Sequence, residues 1–120
     1  MLKKCAKTFG IFMIFIGVLG FIPGITEKDM FLGIFKVNPF LNFVHLITGL
    51  LAYFIGRLNL IATRFLFQAL GVFYAILGFL GFAHGHKLIL RVIASNMADS
   101  WFHVALAIFC IFMGFFYRNR

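Results

Sequence analysis

The chain has 120 residues, 63% of them hydrophobic and 12% charged, with 19 phenylalanines and a formal charge of +8. A soluble domain of this length has too small a core to hide so many large apolar side chains, so the composition excludes an ordinary water-soluble fold and makes the lipid bilayer the expected solvent. The positive charge sits at the ends of the apolar runs, which fits lipid headgroups and argues against a nucleic-acid partner.

In chain order, Met1 to Thr8 is a short basic arm carrying Lys3, Lys4 and Lys7, followed by a charge-free run to Thr26. That run is about as long as the roughly 20 residues a membrane crossing needs, and predicts a first helix over 8–25. Pro23-Gly24 reads as a helix terminator, and no Ala-x-Ala-like cleavage site follows, so the first helix is expected to be retained. A loop over 26–37 holds Glu27, Lys28, Asp29 and Lys36. Asn38 followed by Pro39 starts a second helix over 39–56, because the Asn side chain accepts an orphan backbone N–H and proline fits the first turn. A short link from Arg57 to Arg64 leads to a third helix over 64–83, and a loop opening with His84-Gly-His86-Lys87 runs to Ser95. Asn96 caps a fourth helix over 97–117, with Asp99 placed where a carboxylate meets free N–H groups.

Lys3, Lys4, Lys7, Arg57, Arg64, Arg118 and Arg120 fall on one side of this arrangement; Lys28, Lys36, Lys87 and Arg91 fall on the other with every acid. The positive-inside rule then puts both termini in the cytoplasm of a multi-pass inner-membrane protein.

The chain also matches itself. Asn38, His45, Gly49, Ala52 and Gly56 return 58 residues later as Asn96, His103, Ala107, Cys110 and Gly114, and each set from the histidine onward lies on one helical stripe. At an offset of 61, Gly10, Gly17, Gly20 and Gly24 return as Gly71, Gly78, Gly81 and Gly85. Glycine lets helix backbones approach in lipid, where hydrophobic exclusion contributes little. The expected fold is therefore all-α and integral to the membrane. It is a single domain over 1–120, a four-helix bundle of two tandem hairpins (repeats about 9–56 and 70–114) in the same orientation. Gly10, Gly17, Gly24, Gly49, Gly56, Gly71, Gly78, Gly85 and Gly114 are its expected packing positions, with phenylalanine and leucine facing lipid.

Phe9-Gly10, Gly17-Val-Leu-Gly-Phe-Ile-Pro-Gly24, Leu32-Gly-Ile-Phe-Lys-Val-Asn38, Asn42-Phe-Val-His45, Gly71-x-x-Tyr74 and Asn96-x-x-Asp99 with His103 form one combination. It resembles the small bacterial membrane proteins of domain of unknown function 4383, from about Phe9 to Gly114. The resemblance implies four membrane helices and no established activity. Leu41 stands where many relatives are expected to have a polar residue before Asn42.

Ionisable groups inside apolar spans are functional candidates because burying them is costly. His45, His103, Asn42 and Asp99 are the candidate ligand-binding residues. Neutral imidazoles from two helices suit haem iron, a divalent metal or a quinone-like molecule, or they tie helix ends to loop carbonyls, to Asn42 or to Ser100. Asp99 and His103 with His84 and His86 make an outer-face zinc set conceivable. Cys5 and Cys110 lie in different surroundings and are not expected to pair. No nucleophile with a base, carboxylate pair or phosphate-cradling loop is present, so no enzyme is expected. The expectation is a structural or interaction component with no cofactor. Its partners would be the lipid bilayer and a second copy or other membrane proteins; the alternatives are a His-based binding module and a subunit of an oligomeric transporter.

Overall fold

A computed structural model describes residues 1–84, 88–89 and 92–117. Gly85, His86, Lys87, Arg91, Arg118 and Arg120, on which the packing, zinc and charge-balance expectations partly rest, lie outside the described residues.

The first helix, α1 (Leu2–Leu19), begins and ends about six residues before its expected bounds. Lys3, Lys4 and Lys7 are good helix formers, and Leu2 and Ala6 beside them are fully buried, so the basic arm winds into the helix instead of preceding it. At the other end Thr26 Oγ1 donates to the Leu19 carbonyl at 2.9 Å, taking up an acceptor that a longer helix would have bonded. Gly24 is consequently not a packing residue of α1. It sits beyond the helix at φ +93°, with nothing within 4 Å of where a Cβ would stand, and serves a left-handed turn.

The first loop is folded. Strands β1 (Thr26–Glu27), β2 (Met30–Phe31) and β3 (Phe35–Lys36) form an antiparallel meander. The two-residue turn between β1 and β2 places Lys28 and Asp29 at positive φ, the backbone that a two-residue hairpin of right-handed twist requires, and the three-residue loop between β2 and β3 places Leu32 and Gly33 there. None of the usual Asn-Gly or Asp-Gly signals is present, so the sequence reads as plain loop.

α2 (Pro39–Ile55) starts at Asn38, whose Oδ1 accepts from Leu41 N–H at 2.8 Å. α3 (Leu60–His84) begins four residues earlier than expected, started by Asn59 Oδ1 accepting from Ala62 N–H. α4 (Met97–Ile111) opens with a full capping box between Asn96 and Asp99 and continues as a π-helical turn over Phe112–Phe116. Arg64 donates to the Gly114 and Tyr117 carbonyls and Gln68 to Gly114, which holds that wider turn against α3.

The four helices associate in pairs. In the first pair, a Cβ on Gly10 would lie 2.6 Å from the backbone of Gly49 and of Tyr53, and one on Gly17 2.8 Å from Leu46 N. Gly56 approaches Ala6 and Lys3 in the same way. In the second pair Gly71 meets Ile111, Gly78 meets Val104, Gly81 meets Ser100 and Gly114 meets Gln68. Contact between the pairs is made by larger side chains, among them Phe9, which stacks on Phe109 with centroids 5.6 Å apart and meets Phe67 at 6.1 Å. Among the described residues, two helical segments, Leu60–His84 and Met97–Phe116, are long and apolar enough to cross a membrane, and Pro39–Ile55 is a shorter apolar helix.

Candidate functional site

α2 and α4 each carry a histidine two turns inside an Asn cap, and the pairing of the helices turns both inward. His45 Nε2 and His103 Nε2 stand 3.2 Å apart, and the rings are 2% and 0% exposed. The expectation that each ring ties a helix end to a loop carbonyl, Asn42 or Ser100 is therefore corrected: the two imidazoles bond each other. One ring donates its Nε2–H and the other accepts on a bare Nε2, so the pair holds opposite tautomers while that bond exists. Each Nδ1 meets no hydrogen-bond partner among the described residues.

The pair lies in a layer of aromatic and polar groups. Tyr74 of α3 stacks on His103 at a centroid distance of 5.5 Å, and its hydroxyl bonds Thr48 Oγ1 of α2 at 2.8 Å. Phe102 meets His45 edge-on and packs against Phe35 of the meander. Asn42 Oδ1 is buried beside Gly20, meets no partner among the described residues and does not join the pair. Asp99, 1% exposed, accepts the Asn96 N–H on Oδ2 at 3.1 Å, and the Lys36 backbone N–H also donates to it. It thereby fastens the meander to the start of α4.

Near the mouth of the layer the caps cross over. Asn38 Nδ2 donates to the Val92 carbonyl at 2.8 Å, and Asn96 Nδ2 donates to the Ile34 carbonyl at 3.0 Å. Each cap thus binds the loop that leads into the other helix. Tyr74, Thr48 and these reciprocal caps are parts of the site that helical periodicity does not reveal. The nearest sequence signal is that Thr48 and Tyr74 are polar groups deep in otherwise apolar spans.

The donor set constrains what the site can hold. A haem iron between two imidazoles needs about 4 Å between the nitrogens, given metal–nitrogen bonds of roughly 2.0 Å. It also needs a slot for the porphyrin, whereas His45 and His103 are in direct contact under Tyr74 and Phe102. The haem alternative does not fit. No cluster of three or more His, Cys, Asp or Glu suited to a metal occurs among the described residues, so a closed zinc set is not formed there. His84 Nδ1 is engaged with the Leu80 carbonyl, and His86 lies outside the described residues. The cavity beside the pair has a volume of about 30 Å³. That is well below the roughly 300 Å³ at which small-molecule pockets begin, so a quinone-like ring does not fit either. Cys110 is buried on α4, and neither it nor Cys5 is in a disulfide.

The profile of one protein family, Domain of unknown function (DUF4383), matches residues 3–116. No curated protein and no solved structure matches the chain.

Proposed function

The chain belongs to the DUF4383 family, for which no activity is established, and from that premise we propose that it is a four-span membrane protein with a structural or interaction role rather than a catalyst. The observation that carries this reading is an inverted distribution of side-chain size. Phe65, Phe79 and Phe116 are about 70% exposed and Phe12, Phe15 and Phe54 are at least half exposed, while glycines line the helix contacts. In water that surface would drive aggregation, whereas in a bilayer it is the expected outer face. The long dimension of 45 Å suits a bilayer of roughly 40–45 Å including headgroups.

We read the bundle as two tandem hairpins related by duplication, with both termini cytoplasmic. Several contacts support the duplication at the offset of 58 that separates His45 from His103. Asn38 reaches Val92 as Asn96 reaches Ile34, and Phe31 pairs with Phe35 as Ile89 pairs with Ile93. The glycines, offset by 61, follow the same pattern against partners offset by 58: Gly10 meets Tyr53 as Gly71 meets Ile111, and Gly17 meets Leu46 as Gly78 meets Val104. The His45–His103 bond then lies on the pseudo-two-fold axis along the membrane normal. Its role is to join the hairpins through a polar contact in apolar surroundings, and the glycine faces serve the helices and, where exposed, other copies or partner proteins.

Cysteine accessibility tests the topology. In a Cys5→Ser, Cys110→Ala background, Lys28→Cys and Val92→Cys should react with a membrane-impermeant maleimide from the outer face of oriented vesicles. Leu58→Cys and Tyr117→Cys should react only from the cytoplasmic face. Labelling of all four positions from one face would overturn the four-span reading.

A further inference from the structure

The groove where α1 meets α4 differs in size and chemistry from the layer around the histidines. Its volume is about 480 Å³, within the roughly 300–1,000 Å³ of small-molecule pockets. Lys4, Cys5, Thr8, Phe9 and Phe12 of α1 line one side and Phe109 of α4 the other, and the surface they present is almost wholly apolar. Phe9, buried and stacked on Phe109, forms its floor. The groove follows α1 for about two turns, roughly 12 Å along the helix. Lys4 is exposed, and a lysine stem lies along such a wall while its ammonium stays at the mouth.

Charge at this end of the bundle has one sign. The first turns of α1, with Lys3, Lys4 and Lys7, stand beside the end of α2, where Gly56 meets Ala6 and Arg57 follows. The chain's three acids, Glu27, Asp29 and Asp99, belong to the meander and the α4 cap at the opposite end. The duplicate helix supplies an internal comparison. At the offset of 61 that relates α1 to α3, Lys4, Cys5 and Thr8 correspond to Phe65, Leu66 and Ala69. The cation at the groove is therefore a property of the first hairpin and not of the repeat.

We propose that this groove binds one phospholipid with a negatively charged headgroup. An acyl chain lies against Phe9, Phe12 and Phe109, and the phosphate stands at the mouth beside the Lys4 ammonium. A zwitterionic headgroup gains less, because its own ammonium finds no carboxylate at this end. The lipid joins two helix pairs that otherwise meet through larger side chains. The inference rests on the membrane reading proposed above, but not on which face of the bilayer this end occupies.

Cys5, half-buried in the groove wall, reports occupancy. In a Cys110→Ala background purified in dodecyl maltoside, the rate of Cys5 alkylation by N-ethylmaleimide is followed as lipid is added. Phosphatidylglycerol should slow the reaction saturably, and phosphatidylcholine at the same mole fraction should not. Lys4→Gln should raise the phosphatidylglycerol needed by about fivefold, the effect of one lysine at an anionic lipid surface. Lys28→Gln, at the other end, should leave it unchanged. Equal protection by the two lipids would overturn the proposal, as would a Lys4→Gln protein protected like the parent. A loss as large in Lys28→Gln would also overturn it, since that marks general surface attraction. So would protection that rises with protein concentration in lipid-free micelles, the mark of a second copy in the groove. None of these results touches the four-span reading, which the cysteine-accessibility test decides without regard to lipid charge.

Discussion

Replacing Gly10 with alanine tests the packing of α1 on α2 at its tightest point. The added Cβ would lie 2.6 Å from the Gly49 carbonyl oxygen, 2.6 Å from Tyr53 N and 3.1 Å from Tyr53 Cα. All three are backbone atoms, so no side chain can rotate away, and the helices must separate by roughly 1 Å to restore ordinary contact. A radial gap of 0.5–1 Å forfeits about a quarter to a half of each dispersion contact along the seam. Overpacking of this kind costs about 1–3 kcal/mol. Thermal unfolding in mild detergent, followed by the loss of helical circular dichroism, should show Gly10→Ala below the wild type by that amount. Gly10→Leu should fail to assemble. The control is Gly24→Ala, where nothing lies within 4 Å and only the positive φ opposes alanine. Its loss of stability should come from the turn alone, on the order of 1 kcal/mol. A Gly10→Ala protein as stable as the wild type would refute the packing argument.

Three further outcomes follow from the site. His45→Ala and His103→Ala each strand a buried ring nitrogen and should each lower stability by about 1–3 kcal/mol, with a double mutant clearly less impaired than the sum, as read from a double-mutant cycle. A double mutant as stable as the wild type would rule out the structural bond. Tyr74→Phe keeps the ring on His103 but strands the Thr48 hydroxyl, and should cost about 0.5–1.5 kcal/mol, partly recovered by adding Thr48→Val; the detergent melt measures both. Arg64→Met removes the donors to Gly114 and Tyr117, and should raise amide hydrogen exchange over Phe112–Phe116 while leaving α1 and α2 protected.

Much of the helical frame was legible because its signals are local. Asn38-Pro39 and Asn96-x-x-Asp99 are caps whose chemistry is complete within one turn, and both helices start where those residues stand. The bounds of α1 were not legible, since its ends depend on the burial of Leu2 and Ala6 and on Thr26 reaching back to Leu19. Gly24 shared the seven-residue spacing of Gly10 and Gly17 but fell past the helix, where spacing has no meaning. The meander was hidden because Lys28, Asp29 and Leu32 take positive φ without the residues that usually announce it. At the site, the histidines were visible as buried polar groups at matched positions. Their direct contact was not, because it depends on how two helix pairs meet, which no spacing within one helix determines.

On the proposed reading, the buried polar layer binds the bundle to itself rather than to a cofactor. Native mass spectrometry of the gently solubilised protein, compared with the His45→Ala, His103→Ala double mutant, tests it most directly. Both proteins should show the bare mass, alone or as an oligomer carrying lipid. An adduct of haem, metal or quinone mass, present in the wild type and lost in the double mutant, would contradict it.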